Sequence, residues 1–144
     1  MKKGILLICM FLTIGLQIKA QQFNENEIIG TWTVLKVQFL NDKISTEKKQ
    51  MVEMLKESFL KSKFIFKADH NFTFDFSFEE MRIKNGHWKF NPTTNTILIQ
   101  DWKDKEKNNS GLMEIVMKKV GEKIIFELSE TMLSLEMKNE SPNR

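Results

Sequence analysis

Cysteine occurs once in the 144 residues, at Cys9, so no intrachain disulfide can form and packing must supply the stability. Tyrosine is absent, and proline and histidine occur only twice each. Two histidines, His70 and His87, without a clustered third ligand do not make a recognisable zinc site. There is no glycine-rich phosphate loop, and Ser110-Gly111 lacks the flanks of a nucleophile elbow. Asp75 lies opposite an apolar strand face, and Glu79 and Glu80 point to opposite sides, a poor acid/base pair. No catalytic residue, metal ligand or cofactor is therefore predicted, and the expected class is not an enzyme. After residue 20 no apolar run approaches the about 20 residues that a membrane-spanning helix needs. The charge of +3 is not spread over the chain either. Lys2, Lys3 and Lys19 fall in the first twenty residues with no acid, and without them the balance is about zero. A basic face for nucleic acid or an anionic membrane is not expected.

Those first residues have the layout of an export signal. Lys2 and Lys3 precede an apolar run over residues 4–16, and Ile18-Lys19-Ala20 matches the −3 and −1 positions of a cleavage site. Cleavage near Ala20 would release residues 21–144 as a soluble, cysteine-free domain into the periplasm or the medium. Cys9 sits inside the apolar run rather than at the cleavage site, which argues against lipid anchoring.

What the released chain does have is period-two alternation, the mark of strands with one buried face. In residues 72–78, Phe72, Phe74, Phe76 and Phe78 share one face and Thr73, Asp75 and Ser77 the other. Phe64 and Phe66 precede them across an Asp69-His70-Asn71 turn, forming a hairpin. Residues 28–40, 82–90, 96–100, 111–120, 123–128 and 132–138 complete eight strands joined mostly by short links, which favours a meander of antiparallel neighbours. Residues 21–27 read as a loose lead-in and residues 101–110 as a mobile exposed loop with Trp102 at its base.

One segment is different. Residues 45–61 read as a helix with Ser45 as its cap and Val52, Leu55 and Phe59 as an apolar stripe. It either closes one end of a barrel or simply packs on a sheet. Closing an eight-stranded sheet removes both exposed edges, although a two-sheet sandwich would alternate in the same way.

Gly30-Thr31-Trp32 at the head of the first strand resembles the G-x-W motif of lipocalins. The wider pattern, with Phe64-Ile65-Phe66, Gly86-His87-Trp88 and a terminal meander, is similar to small bacterial lipocalin-like proteins. The resemblance implies an all-β, eight-stranded up-and-down barrel with the amphipathic helix between its first two strands. It gives Gly30 and Trp32 structural roles, with Trp32 across the closed base. In many lipocalins that Trp pairs with an Arg near the end of the barrel. Here only Arg82 and Arg144 exist, leaving Lys138 as the candidate substitute. The disulfide and the helix after the last strand that many lipocalins carry are missing.

Any function should then lie on the apolar inner face. The candidate ligand-binding residues are Phe64, Phe66, Phe74, Phe76, Trp88, Phe90, Ile115, Met117 and Phe126. The partner expected is a small hydrophobic molecule carried in the barrel. The alternative is a barrel filled by these same side chains, acting through its loops as a protein-binding module.

Overall fold

Alternation is realised as eight strands: β1 (Gly30–Phe39), β2 (Lys63–Phe66), β3 (Asn71–Asp75), β4 (Arg82–Asn91), β5 (Thr96–Asp101), β6 (Met113–Val120), β7 (Lys123–Leu128) and β8 (Leu133–Asn139). The structure, a computed structural model, describes residues 21–40, 43–78, 81–108 and 111–141. The expected export segment, Cys9, Glu79, Glu80, Ser110 and Arg144 lie outside these residues. Each strand pairs antiparallel with its sequence neighbours, and β8 returns to β1 to close the barrel. The up-and-down barrel is thus the architecture, and the sandwich is excluded. Closure satisfies the backbone groups that two open edges would expose.

Register places like with like across the inner wall. Phe64 faces Phe74 and Phe66 faces Phe72 across β2–β3. Met117 faces Phe126, which in turn faces Leu135. Register shifts between Val34 and Lys36, and Leu35 is left 54% exposed. A bulge of this kind puts an extra residue on the outside and sharpens the local twist that a small barrel needs.

One end is sealed by residues expected to be a loose lead-in. Residues 25–28 instead form one helical turn, α1 (Glu25–Ile28), held by a capping box between Asn24 and Glu27. Phe23 and Ile28 are buried, and the Phe23 amide donates to the Asn95 side chain in the β4–β5 turn. The Trp32 indole N–H donates to the Ile28 carbonyl at 2.7 Å, while its ring lies 5.1 Å from that of Phe126. Trp32 is therefore placed across this closed end. Its partner is not Lys138, which is exposed and bonds Glu140 through its ammonium group. Lys138 points outward because it alternates with the inward Met137.

Gly30 explains its own identity. Its φ is +140°, and an added Cβ would lie 2.7 Å from Asn139 Nδ2 and 2.8 Å from the Ser141 carbonyl oxygen. No other residue type tolerates both the conformation and the contact.

The second helix, α2 (Thr46–Leu60), lies between β1 and β2 at the opposite end. Ser45 occupies the N-cap position, but its side chain makes no capping hydrogen bond. Phe59 is buried from the stripe, with Val52 and Leu55 half-buried beside it. Phe59 packs its ring 4.6 Å from that of Phe76 and 6.4 Å from that of Phe74. The helix therefore covers the barrel end instead of lying flat on the outer wall.

Candidate functional site

The interior divides into a filled half and an open half. Towards the closed end the rings of Phe64, Phe66, Phe72, Trp88 and Phe126 are fully buried and mutually packed. Phe66 meets Phe72 at 4.9 Å and Trp88 edge-on at 5.7 Å, while Phe64 meets Phe126 edge-on at 6.0 Å. Such tilted and edge-on pairs suit the ring quadrupoles and leave little space between them. The Trp88 indole N–H is satisfied by the Lys67 carbonyl at 3.0 Å. Ile115 and Met117 complete this packing from β6.

At the other end a cavity of about 300 Å³ opens beneath α2. Leu55 and Phe59 form its roof, Phe74, Phe76, Phe78 and Met81 one wall, and Leu112, Met113, Leu128 and Leu133 the other. Glu114, Glu130 and Thr131 are its polar lining. The volume lies at the small end of the range for ligand pockets, and the combination of apolar walls with few polar groups is typical of them.

Of the nine candidate ligand residues, only Phe74 and Phe76 line this cavity. Phe64, Phe66, Trp88, Ile115, Met117 and Phe126 belong to the filled half. Phe90 is half-buried and packs against the edge of the core from β4. The helix and the β5–β6 and β7–β8 connections supply lining residues that strand alternation alone does not reveal. Phe59 could have been found, because its apolar stripe had to face something. Leu112 and Thr131 carry no such signal.

The outer wall holds a second, polar cluster. Residues 102–108 fold back against the barrel instead of forming a freely exposed loop. Asp101 caps a 3-10 turn (Trp102–Asp104), Lys107 pairs with Asp104 at 2.7 Å, and the Gln100 side-chain amide donates to the Lys107 carbonyl. Gln100 is fully buried by this fold, and its Oε1 has no hydrogen-bond partner. Opposite it across β4–β5 is His87, whose side chain points outward as alternation with Trp88 requires. His87 is nonetheless half-buried, with Trp102 edge-on at 5.1 Å and Nδ1 unpartnered. Burial, then the nearby His70, Lys89 and Lys105, lower its pKa below 6.5.

His70 is the turn residue expected from its neighbours, with φ +67°. Its two ring nitrogens face acceptors, the Trp88 carbonyl and a Glu25 carboxylate, each at 2.9 Å. It ties α1 to the barrel wall, a structural role.

The fold and its mouth define the class: a closed eight-stranded antiparallel barrel, capped by one helix over an apolar cavity. No family model matches the chain, and no curated protein or solved structure matches it. Among the described residues no group of three or more His, Cys, Asp or Glu side chains could hold a metal ion. No described helix is long and apolar enough to cross a membrane.

Proposed function

We propose that this protein is an exported, lipocalin-like binding protein that holds a small hydrophobic molecule in the cavity under α2. The observation that carries the reading is the contrast within one barrel. Its lower half is packed to exclusion, whereas its upper half keeps a cavity of about 300 Å³ with almost entirely apolar walls. Burying the ligand against Phe59, Phe74 and Phe76 supplies the driving force, on the order of 25 cal/mol per Å² before the costs of association. Binding, not catalysis, is the activity, and the export layout of residues 1–20 supports a periplasmic or secreted site of action.

Titration with the neutral fluorescent probe N-phenyl-1-naphthylamine tests this. The purified protein is expected to bind one probe saturably. Met113→Trp, at a half-buried lining position, should fill the cavity and weaken binding at least about tenfold while the fold is retained. Absence of saturable binding to folded protein would sink the reading.

A second reading has its own support. Leu40, Met81, Leu112 and Met132 are each more than half exposed, and Met81 and Leu112 line the mouth. The Leu40 amide bonds the Met132 carbonyl, so these two side chains sit together at the same end. An exposed apolar rim is the kind of surface that docks a protein partner. If the probe does not bind, this rim, rather than the flap at residues 102–108, is where a partner should be sought.

A further inference from the structure

The methionines divide between the two halves of the barrel. Met117 and Met137 are buried in the core, whereas Met51, Met54, Met81 and Met132 are at least half exposed. Of these exposed four, only Met81 lines the mouth cavity. Pairing of the backbone shows which way it faces. Arg82 pairs with Asp75 on the outer wall, where their side chains meet at 2.9 Å. One step further the Phe76 amide donates to the Met81 carbonyl at 3.1 Å, and the Met81 amide donates to the Phe78 carbonyl at 3.3 Å. Met81 thus stands opposite the inward Phe76 and in phase with Ile83, which pairs with the inward Phe74. Its thioether belongs to the cavity wall, yet the residue is 53% exposed to solvent.

A solvent-exposed thioether is open to two-electron oxidants, and the chain's single cysteine, Cys9, offers no competing thiol within the barrel. Resting on the carrier reading above, we infer that Met81 is an oxidation site whose conversion to the sulfoxide by a peroxide weakens the hold of the cavity on a hydrophobic ligand. The sulfur lone pair attacks one oxygen of hydrogen peroxide, an S–O bond forms and the O–O bond breaks. The departing hydroxide takes the proton from the new S–OH group and leaves as water. The sulfur is oxidised and the peroxide reduced, so the step balances. The product places a polar S–O group beside Phe76 and Phe78, whose rings have no hydrogen-bond donor to offer it. A ligand must then strip water from that oxygen in order to bind, which costs affinity. Met113 also lines the cavity but is half-buried, so it should react later.

Brief treatment with hydrogen peroxide tests this, with the peroxide removed before peptide mass mapping and titration with N-phenyl-1-naphthylamine. Mapping is expected to find an added oxygen on Met81 while Met113, Met117 and Met137 remain thioethers. Affinity should fall at least about threefold, and methionine sulfoxide reductases for both epimers should restore it. Each variant is compared with its own untreated form. Met81→Leu should abolish the response, whereas Met51→Leu with Met54→Leu, outside the cavity lining, should keep it. A Met81 sulfoxide with unchanged affinity, or a response that survives Met81→Leu, overturns the inference while leaving the carrier reading intact. So does a Met81 that stays unmodified while Met51, Met54 and Met132 react. If the untreated, folded protein binds no probe saturably, both readings fall together.

Discussion

The two ends of the barrel handle the same amino-acid types in opposite ways. At the closed end, both buried tryptophans donate their indole N–H to a backbone carbonyl, and Phe23 and Ile28 plug what remains. At the mouth, Leu40, Met81, Leu112 and Met132 stay exposed, and Phe59, Phe74, Phe76 and Phe78, though in ring contact with one another, also border unfilled space. The difference teaches where close packing ends and unfilled space begins. Apolar residues that are packed to exclusion hold the fold, and those left with unfilled space can bind something else.

Truncations at the two ends should separate most strongly. Phe64→Ala removes a fully buried ring that touches Phe72, Phe74 and Phe126. It is expected to cost about 3–5 kcal/mol in urea unfolding, and the fraction that stays folded should keep its probe affinity. Phe76→Ala, at the mouth, should cost about half of that and change probe affinity severalfold. Equal stability losses from the two, or equal effects on binding, would erase the distinction between the halves.

Gly30→Ala probes the closed end through the backbone. The new Cβ would collide with the Asn139 side chain and the Ser141 carbonyl. Asn139 itself donates to the Ile29 carbonyl at 3.1 Å, so the collision would disturb the junction of β1 and β8. A loss of about 2–3 kcal/mol is expected, with mouth binding unchanged. Near-wild-type stability would mean that this junction can shift freely.

The barrel and its inner face were legible in the residues; the division into a filled and an open half was not, and the limit has a physical origin. Alternation over Phe72, Phe74 and Phe76 identified the inner face, and Gly30-Thr31-Trp32 located the base. The same period marks a residue as inward at every level of the barrel, so it could not tell Phe76 at the mouth from Phe66 in the filled half. Depth depends on strand stagger and on what covers each end. The N-terminal plug was missed because a polar run, Gln21 to Glu27, hid a single anchor at Phe23 and a local capping box. The flap over Gln100 was missed because charge normally signals solvent. Here the charged residues bond one another, as Lys107 does Asp104, and shield a polar core.

The outer wall offers a smaller, pH-dependent test. His87 is held neutral in the folded protein to a lower pH than in the unfolded chain, mainly by burial. Below 6.5 the unfolded chain therefore binds more protons at this site, and stability falls as pH drops until the folded His87 is itself protonated. Asp69, Asp104 and Glu140, whose pKa values are lowered mainly by hydrogen bonds, add their own losses only in the acid range of carboxylates. Urea midpoints at pH 7 and pH 5.5 should thus differ more for the wild type than for His87→Phe. Equal differences would show that His87 does not carry the effect.

The smallest effect returns to the mouth. Met132 has φ +54° in the β7–β8 turn, a left-handed conformation that costs a side chain about 1 kcal/mol relative to glycine. Its side chain is 54% exposed, so little packing offsets that strain. Glycine fits the backbone but also widens the unfolded ensemble, which opposes the gain. Met132→Gly is therefore expected to raise stability by about 0.5 kcal/mol. Gly121, at φ +63° in the β6–β7 turn at the closed end, already has the residue its geometry prefers. A methionine kept in the equivalent conformation at the mouth points to a use for its exposed apolar side chain. Probe affinity in Met132→Gly reads that use directly. A stabilised variant with weakened binding would assign the side chain to the rim of the ligand site, whereas unchanged binding would leave it to a partner surface.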